Sequence, residues 1–82
     1  MLNVEIISPE GIIFHGKCAM VTVPSVAGDA GVMQGHEAFV AELREGKVTV
    51  YNESQEVIKE VAIITGFAEI HDGERLIVLL DS

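Results

Sequence analysis

Apolar and polar positions alternate along almost the whole chain, the period of half-buried β-strands. Leu2, Val4 and Ile6 fall on one side of the first segment, Asn3 and Glu5 on the other. Pro9-Glu10-Gly11 reads as a turn, with proline fixing φ and glycine completing the reversal. Ile12-Ile13-Phe14-His15 and Met20-Val21-Thr22-Val23 are the second and third strands. Pro24 has no N–H to donate and is expected to end the third strand's hydrogen bonding. Ser25 to Gln34 reads as a glycine-rich loop carrying a short strand at Val32-Met33. Ala38-Phe39-Val40-Ala41-Glu42-Leu43 contains helix-favouring residues, but the segment is short for a helix and its neighbours are strands, so it is assigned as strand.

Beyond the turn at Arg44-Glu45-Gly46, the segment Lys47 to Tyr51 places Val48 and Val50 inside and Lys47, Thr49 and Tyr51 outside. Asn52-Glu53-Ser54-Gln55 turns again, and Glu56 to Thr65 holds one long strand or two short ones. Gly66 marks a bulge or a close backbone approach. Phe67-Ala68-Glu69-Ile70 follows, Asp72-Gly73 is a hairpin signal, and Leu76 to Leu80 is apolar on both faces, as a central strand would be. About nine short strands with turns roughly every 8–12 residues predict an all-β sandwich or barrel, a single domain over residues 1–82.

Composition narrows the possible partners. With 82 residues and 49% hydrophobic residues the chain suffices for one compact core. Thirteen acidic against five basic residues give a formal net charge of −8. That excludes nucleic-acid binding, which needs clustered Lys and Arg, and direct docking on anionic lipid. It suits a basic protein partner, and equally a small acidic domain that simply stays soluble. The single cysteine, Cys18, opens an apolar stretch and reads as a buried structural thiol, compatible with a reducing compartment. No apolar run approaches the ~20 residues of a membrane span, and strand alternation already begins at Leu2. The expected location is the cytoplasm, or the organelle interior for an organelle-encoded chain.

The polar residues build no catalytic, cofactor or metal site that the sequence reveals. His15, His36 and His71 are dispersed without metal-ligand spacing, and no nucleophile-elbow pattern occurs. The run Gly28-Asp29-Ala30-Gly31-Val32-Met33-Gln34-Gly35-His36-Glu37 is the main candidate for function. Its glycines permit unusual backbone angles or close approach, it exceeds the length of a simple hairpin turn, and loops on rigid scaffolds carry binding residues. It is not a phosphate loop, since it lacks the Lys-Ser/Thr ending and a following helix. His36 has two readings: an exposed or backbone-tying loop residue, or a contact to a partner whose strength varies near neutral pH.

Thr22-Val23-Pro24, the run from Gly28 to His36, and Glu42-Leu43-Arg44-Glu45-Gly46-Lys47-Val48 together resemble the epsilon subunit of F-type ATP synthases. Thr65-Gly66-Phe67-Ala68-Glu69-Ile70 and Val78-Leu79-Leu80-Asp81 continue the resemblance in register to the end of the chain. It implies a ten-stranded β-sandwich with no cofactor, not an enzyme by itself. Such a domain binds the gamma subunit along one side and rests its lower end on the c-ring, so that proton- or sodium-driven ring rotation turns gamma. The membrane is then touched only indirectly, from the cytoplasmic face of a bacterial inner membrane or the stromal or matrix side of an organelle. By position, Asp29, Gly31, Val32, Gly35, His36 and Glu37 would face the ring and Ser8 would lie near gamma. Gln34 stands where the family usually has proline, and Glu37-Ala38 where it usually has Ala-Pro, which implies a looser, more negative loop. The family commonly continues into a helical hairpin that can inhibit ATP hydrolysis. This chain stops at Ser82, where that hairpin would begin, so the expectation is coupling without inhibition. The alternative is a biotinyl or lipoyl carrier domain, which would need a lysine at a hairpin tip. Lys47 follows a turn but lacks the flanking motif.

Overall fold

The alternating pattern becomes nine strands among residues 1–81, which the computed structural model describes. They are β1 (Leu2–Ser8), β2 (Gly11–Cys18), β3 (Met20–Ser25), β4 (Gly28–Met33), β5 (Phe39–Leu43), β6 (Gly46–Tyr51), β7 (Val57–Ile63), β8 (Gly66–His71) and β9 (Arg75–Leu80). This is the number the periodicity counts and one fewer than the resemblance implies. Ser82, where the resemblance would start a helical hairpin, lies outside the described residues.

Two layers form. One has the order β2-β1-β9-β8-β5; the other is β4-β3-β6-β7. They join at a corner where Ser25 of β3 meets Leu43 of β5. Every pairing is antiparallel except β1 with β9, which runs parallel from Asn3 opposite Arg75 to Ile7 opposite Leu79. Alternation fills the space between the layers. Leu2, Val4 and Ile6 of β1, Leu76, Val78 and Leu80 of β9, Val21 and Val23 of β3, and Val48 and Val50 of β6 all enter one core. Cys18 is part of it, and burial pushes its thiol pKa up, so it packs as a small apolar residue.

Three local expectations are corrected. Pro24 does not end its strand; it lies inside β3, opposite Asp29. Its carbonyl accepts from the Arg44 N–H at 2.8 Å. Its missing N–H would face the same side, where β3 is passing from β6 to β5, so no ladder bond is lost. The glycine-rich run is not a loop over its first part. Residues 28–33 are β4, and the reversal before it takes only residues 26–27, held by Ser25 Oγ accepting the Ala27 N–H at 3.1 Å. Valine and alanine give no turn signal, so a side-chain hydroxyl from the preceding strand makes a turn the sequence did not advertise. Thr49 points away from the core as expected but is covered, at 7% exposure, in a groove it shares with Thr22, Arg44 and Lys47.

Candidate partner-binding site

Because the strands alternate in direction, their connections gather at two ends. The first end holds the β1–β2 turn after Ser8, the β3–β4 turn, Arg44-Glu45 between β5 and β6, and Thr65, whose carbonyl accepts from Asp81 N–H. The second end holds residues 34–38 between β4 and β5, residues 52–56, and the Asp72-Gly73-Glu74 turn. The sequence candidates do not all meet. Gly35, His36 and Glu37 are exposed at the second end. Asp29 lies near the first end, four residues from Met33 along β4, or roughly 13 Å. Gly31 is in mid-strand, packed beside the Met20 sulfur. Val32 is fully buried in the core, so its side chain is presented to nothing outside. Ser8 is half-buried at the first end, where its hydroxyl donates to the Gly11 carbonyl at 3.2 Å.

Asp29 instead has an internal partner. Its Oδ1 accepts from Arg44 Nη2 at 2.6 Å, across the edge of the groove that includes Thr22 and Thr49. Both side chains stay well exposed, and such pairs contribute little. Asp29→Asn is expected to move the melting temperature by less than about 5 °C, read by differential scanning calorimetry; a larger drop would give the pair a structural role.

The second end is held together by backbone. Gly35 N–H donates to the Gly73 carbonyl at 2.6 Å, and His36 N–H to the Met33 carbonyl at 3.2 Å. Gly73 lies so close to Gly35 that an added Cβ would stand 3.3 Å from the Gly35 Cα. Asp72 and Gly73 both take positive φ, the conformation that Asp-Gly favours in a tight reversal. The Met1 ammonium donates to Gln34 Oε1 at 2.6 Å. The His36 ring stands edge-on to Phe39, with centroids 4.9 Å apart, and its Nδ1 lies 2.9 Å from the Glu37 carbonyl. These ties hold the segment where the two family prolines are missing. The ring closes one end of an apolar groove of about 380 Å³ lined by Val26, Ala30, Phe39 and Val40.

Among the described residues no three His, Cys, Asp or Glu side chains are placed to hold a metal ion. His15 lies within β2 and His71 ends β8, with its Nε2 2.9 Å from Glu69 Oε1. Lys47 is inside β6 opposite Ala62, not at a hairpin tip, and its ammonium is 3.4 Å from Glu60.

The model of one protein family, described as the ATP synthase, Delta/Epsilon chain, beta-sandwich domain, matches residues 1–82. The chain belongs to this family. It is 33% identical over 81 residues to the ATP synthase epsilon chain of Helicobacter acinonychis, covering 99% of this chain and 63% of that protein. It is 38% identical over 80 residues to ATP synthase epsilon chain 2 of Nitrobacter hamburgensis, covering 57% of that protein. The chain thus spans less than two thirds of the length of these relatives. In a Euglena gracilis mitochondrial ATP synthase structure of OSCP, F1 and c-ring, one chain superposes with a TM-score of 0.88 at 23% identity, over 99% of this chain and 51% of that one. A chain of the Tetrahymena thermophila central stalk and c-ring gives 0.80 at 12% identity, over 99% of this chain and 63% of that one. At these identities the superpositions establish the fold of the delta/epsilon sandwich. Lys47, buttressed within a strand of that sandwich, leaves the carrier-domain alternative without its exposed tip.

Proposed function

We propose that this chain is the β-sandwich of an epsilon-type subunit, a non-catalytic part of an ion-driven ATP synthase that joins gamma to the c-ring. The match of the family's sandwich model to residues 1–82 supports this reading most strongly. Its location would be peripheral, on the cytoplasmic face of a bacterial inner membrane or the equivalent organelle side. The mechanics suit the role. A coupling element must not yield when torque is applied across it. Two layers closed over one core, with cross-braces between turns at each end, make such a body.

The proposal assigns the second end, with Gly35, His36 and Glu37, to the ring, and a side of the sandwich near Ser8 to gamma. Asp29 lies near the other end, Gly31 is in mid-strand and Val32 is buried, so the proposal centres the ring contact on the segment around His36. Calorimetric titration of the chain with purified gamma from the same organism tests the stalk role. Stoichiometric binding is expected, and its absence with both proteins folded would overturn the role. His36→Ala is expected to weaken association with the purified c-ring about fivefold to tenfold, the loss of one contact of about 1 kcal/mol, and to leave gamma binding within twofold. Equal weakening of both would refute the division of labour.

A further inference from the structure

We infer that Lys59 keeps the open edge of β7 from pairing with the β7 of a second copy, so that removing its charge turns the chain into a dimer. β7 ends the four-stranded layer and is paired only with β6 among the described residues. Its other edge presents backbone N–H and C=O groups, a template for a further strand. Six of the eight residues 57–64 are apolar, and Val57, Ile58 and Ile64 are 53%, 43% and 66% exposed. An apolar segment on an open edge associates unless something prevents it. The other strands with a single neighbour are interrupted. The extra residue Ile13 breaks the register of β2 with β1, and β4 carries Gly28 and Gly31, which weaken a strand. In β7 the slip falls at Ile58, near its start, and leaves Lys59 to Ile63 regular.

Side chains alternate along this regular stretch. Lys59, Val61 and Ile63 lie on the inner side, opposite Val50, Val48 and Gly46 of β6, and Glu60 and Ala62 lie outside, opposite Thr49 and Lys47. Lys59 therefore stands where the pattern would put a core residue. It is half-buried rather than enclosed, as a lysine is when its stem covers apolar surface and its ammonium reaches water past the edge. Among the described residues it has no carboxylate at ion-pair distance, whereas Glu60 is tied to Lys47 at 3.4 Å.

A second copy brings the same edge, so the pairings open to it can be enumerated. Facing residues of antiparallel strands share one side of the sheet, and a two-fold axis carries each side onto itself. The axis must therefore pass between a residue and its own copy. With the axis at Lys59 two ammonium groups meet, and with the axis at Glu60 two carboxylates meet, both unfavourable. With the axis at Val61, Val61 faces its own copy, Glu60 faces Ala62 and Lys59 faces Ile63. This register pairs all five regular residues and sets no like charges together. Lys59 alone opposes it. Ile63 is only 4% exposed, and joining the two edges would run both cores together across the seam. Each ammonium would then be shut off from water with no partner, a heavy penalty for so short a ladder.

Sedimentation velocity reads the outcome, with circular dichroism reporting the fold. The unaltered chain and Lys59→Arg, which keeps the charge, are expected to sediment as monomers. Lys59→Val is expected to dimerise at least about a hundredfold more tightly than either, since each copy removes one charge from the seam. Val61→Cys added to Lys59→Val locates the seam. The residue at 61 faces its own copy with Cα atoms about 4.5–5.5 Å apart, so mild oxidation should link the dimer there, while Cys18 stays buried. A folded Lys59→Val that remains monomeric overturns the inference. Equal dimerisation of the unaltered chain or of Lys59→Arg overturns it too, as does a Lys59→Val dimer that does not cross-link at position 61. If Lys59→Val does not fold, Lys59→Gln, polar but uncharged, takes its place, and association no tighter than that of Lys59→Arg overturns the inference.

Discussion

Val32→Asp will leave the chain unfolded at 25 °C. Val32 is wholly buried among the core valines and leucines, and among the described residues no buried cation could pair with a carboxylate there. Removing one charge from water without a partner costs several kcal/mol. A domain of this size holds only about 4–12 kcal/mol of stability in total. Far-UV circular dichroism and a urea titration will show the loss, and a cooperative transition at native-like urea concentrations would contradict it. The result bears on function because Val32 lies within the glycine-rich run. Under the proposed function, a loss of ring binding on changing Val32 reports the fold, whereas the same loss on changing His36 reports the contact.

Gly66→Ala is expected to lower the melting temperature by roughly 10–20 °C. A Cβ at this position would stand 2.3 Å from the Leu79 carbonyl oxygen and 3.3 Å from the Leu80 Cα. The obstacle is backbone on a neighbouring strand, so no rotamer change can relieve it. Gly66 pairs with Leu80 on one side and Leu43 on the other, which prevents β8 from shifting away. Overpacking of this kind costs about 3 kcal/mol or more, and each kcal/mol moves the midpoint of a small domain by about 4–8 °C. Gly31→Ala makes the control. Its Cβ would meet only the Met20 sulfur at 3.4 Å, the movable end of a flexible side chain, and its melting temperature should change by only a few degrees, about what one mild contact permits. A Gly66→Ala midpoint as close to that of the unaltered chain would show that the β8–β9 ladder can open without penalty.

The strands were legible because period-two patterning records which face is buried, and one core takes that face from nearly every strand. Leu2, Val4 and Ile6 could be read inward from local sequence alone, and Gly66 as a bulge or a close approach, of which the structure shows the second. The β3–β4 reversal was hidden because Val26-Ala27 carries no turn chemistry of its own and depends on Ser25. Pro24 misled because its tolerance comes from the switch of β3 between two partners, a fact about pairing that no local window contains. The candidate site was legible only at His36 and its neighbours. Asp29 was carried to the other end because residues 28–33 are strand rather than loop, and Val32 was turned inward by the same alternation that defines β4.

The parallel ladder between β1 and β9 has a consequence for how the chain is made. Asn3 pairs with Arg75 and Ile7 with Leu79, so β1 gains its second neighbour only after β9 has been synthesised. Until then the β1–β2 hairpin has an unfilled edge and an apolar stripe, Leu2, Val4 and Ile6, with no opposing strand from β9 beside it. Contacts this distant along the chain slow folding, and an open edge beside an apolar stripe invites mispairing with other chains. Loss of residues from β9 would leave that edge of β1 unpaired for as long as the chain exists.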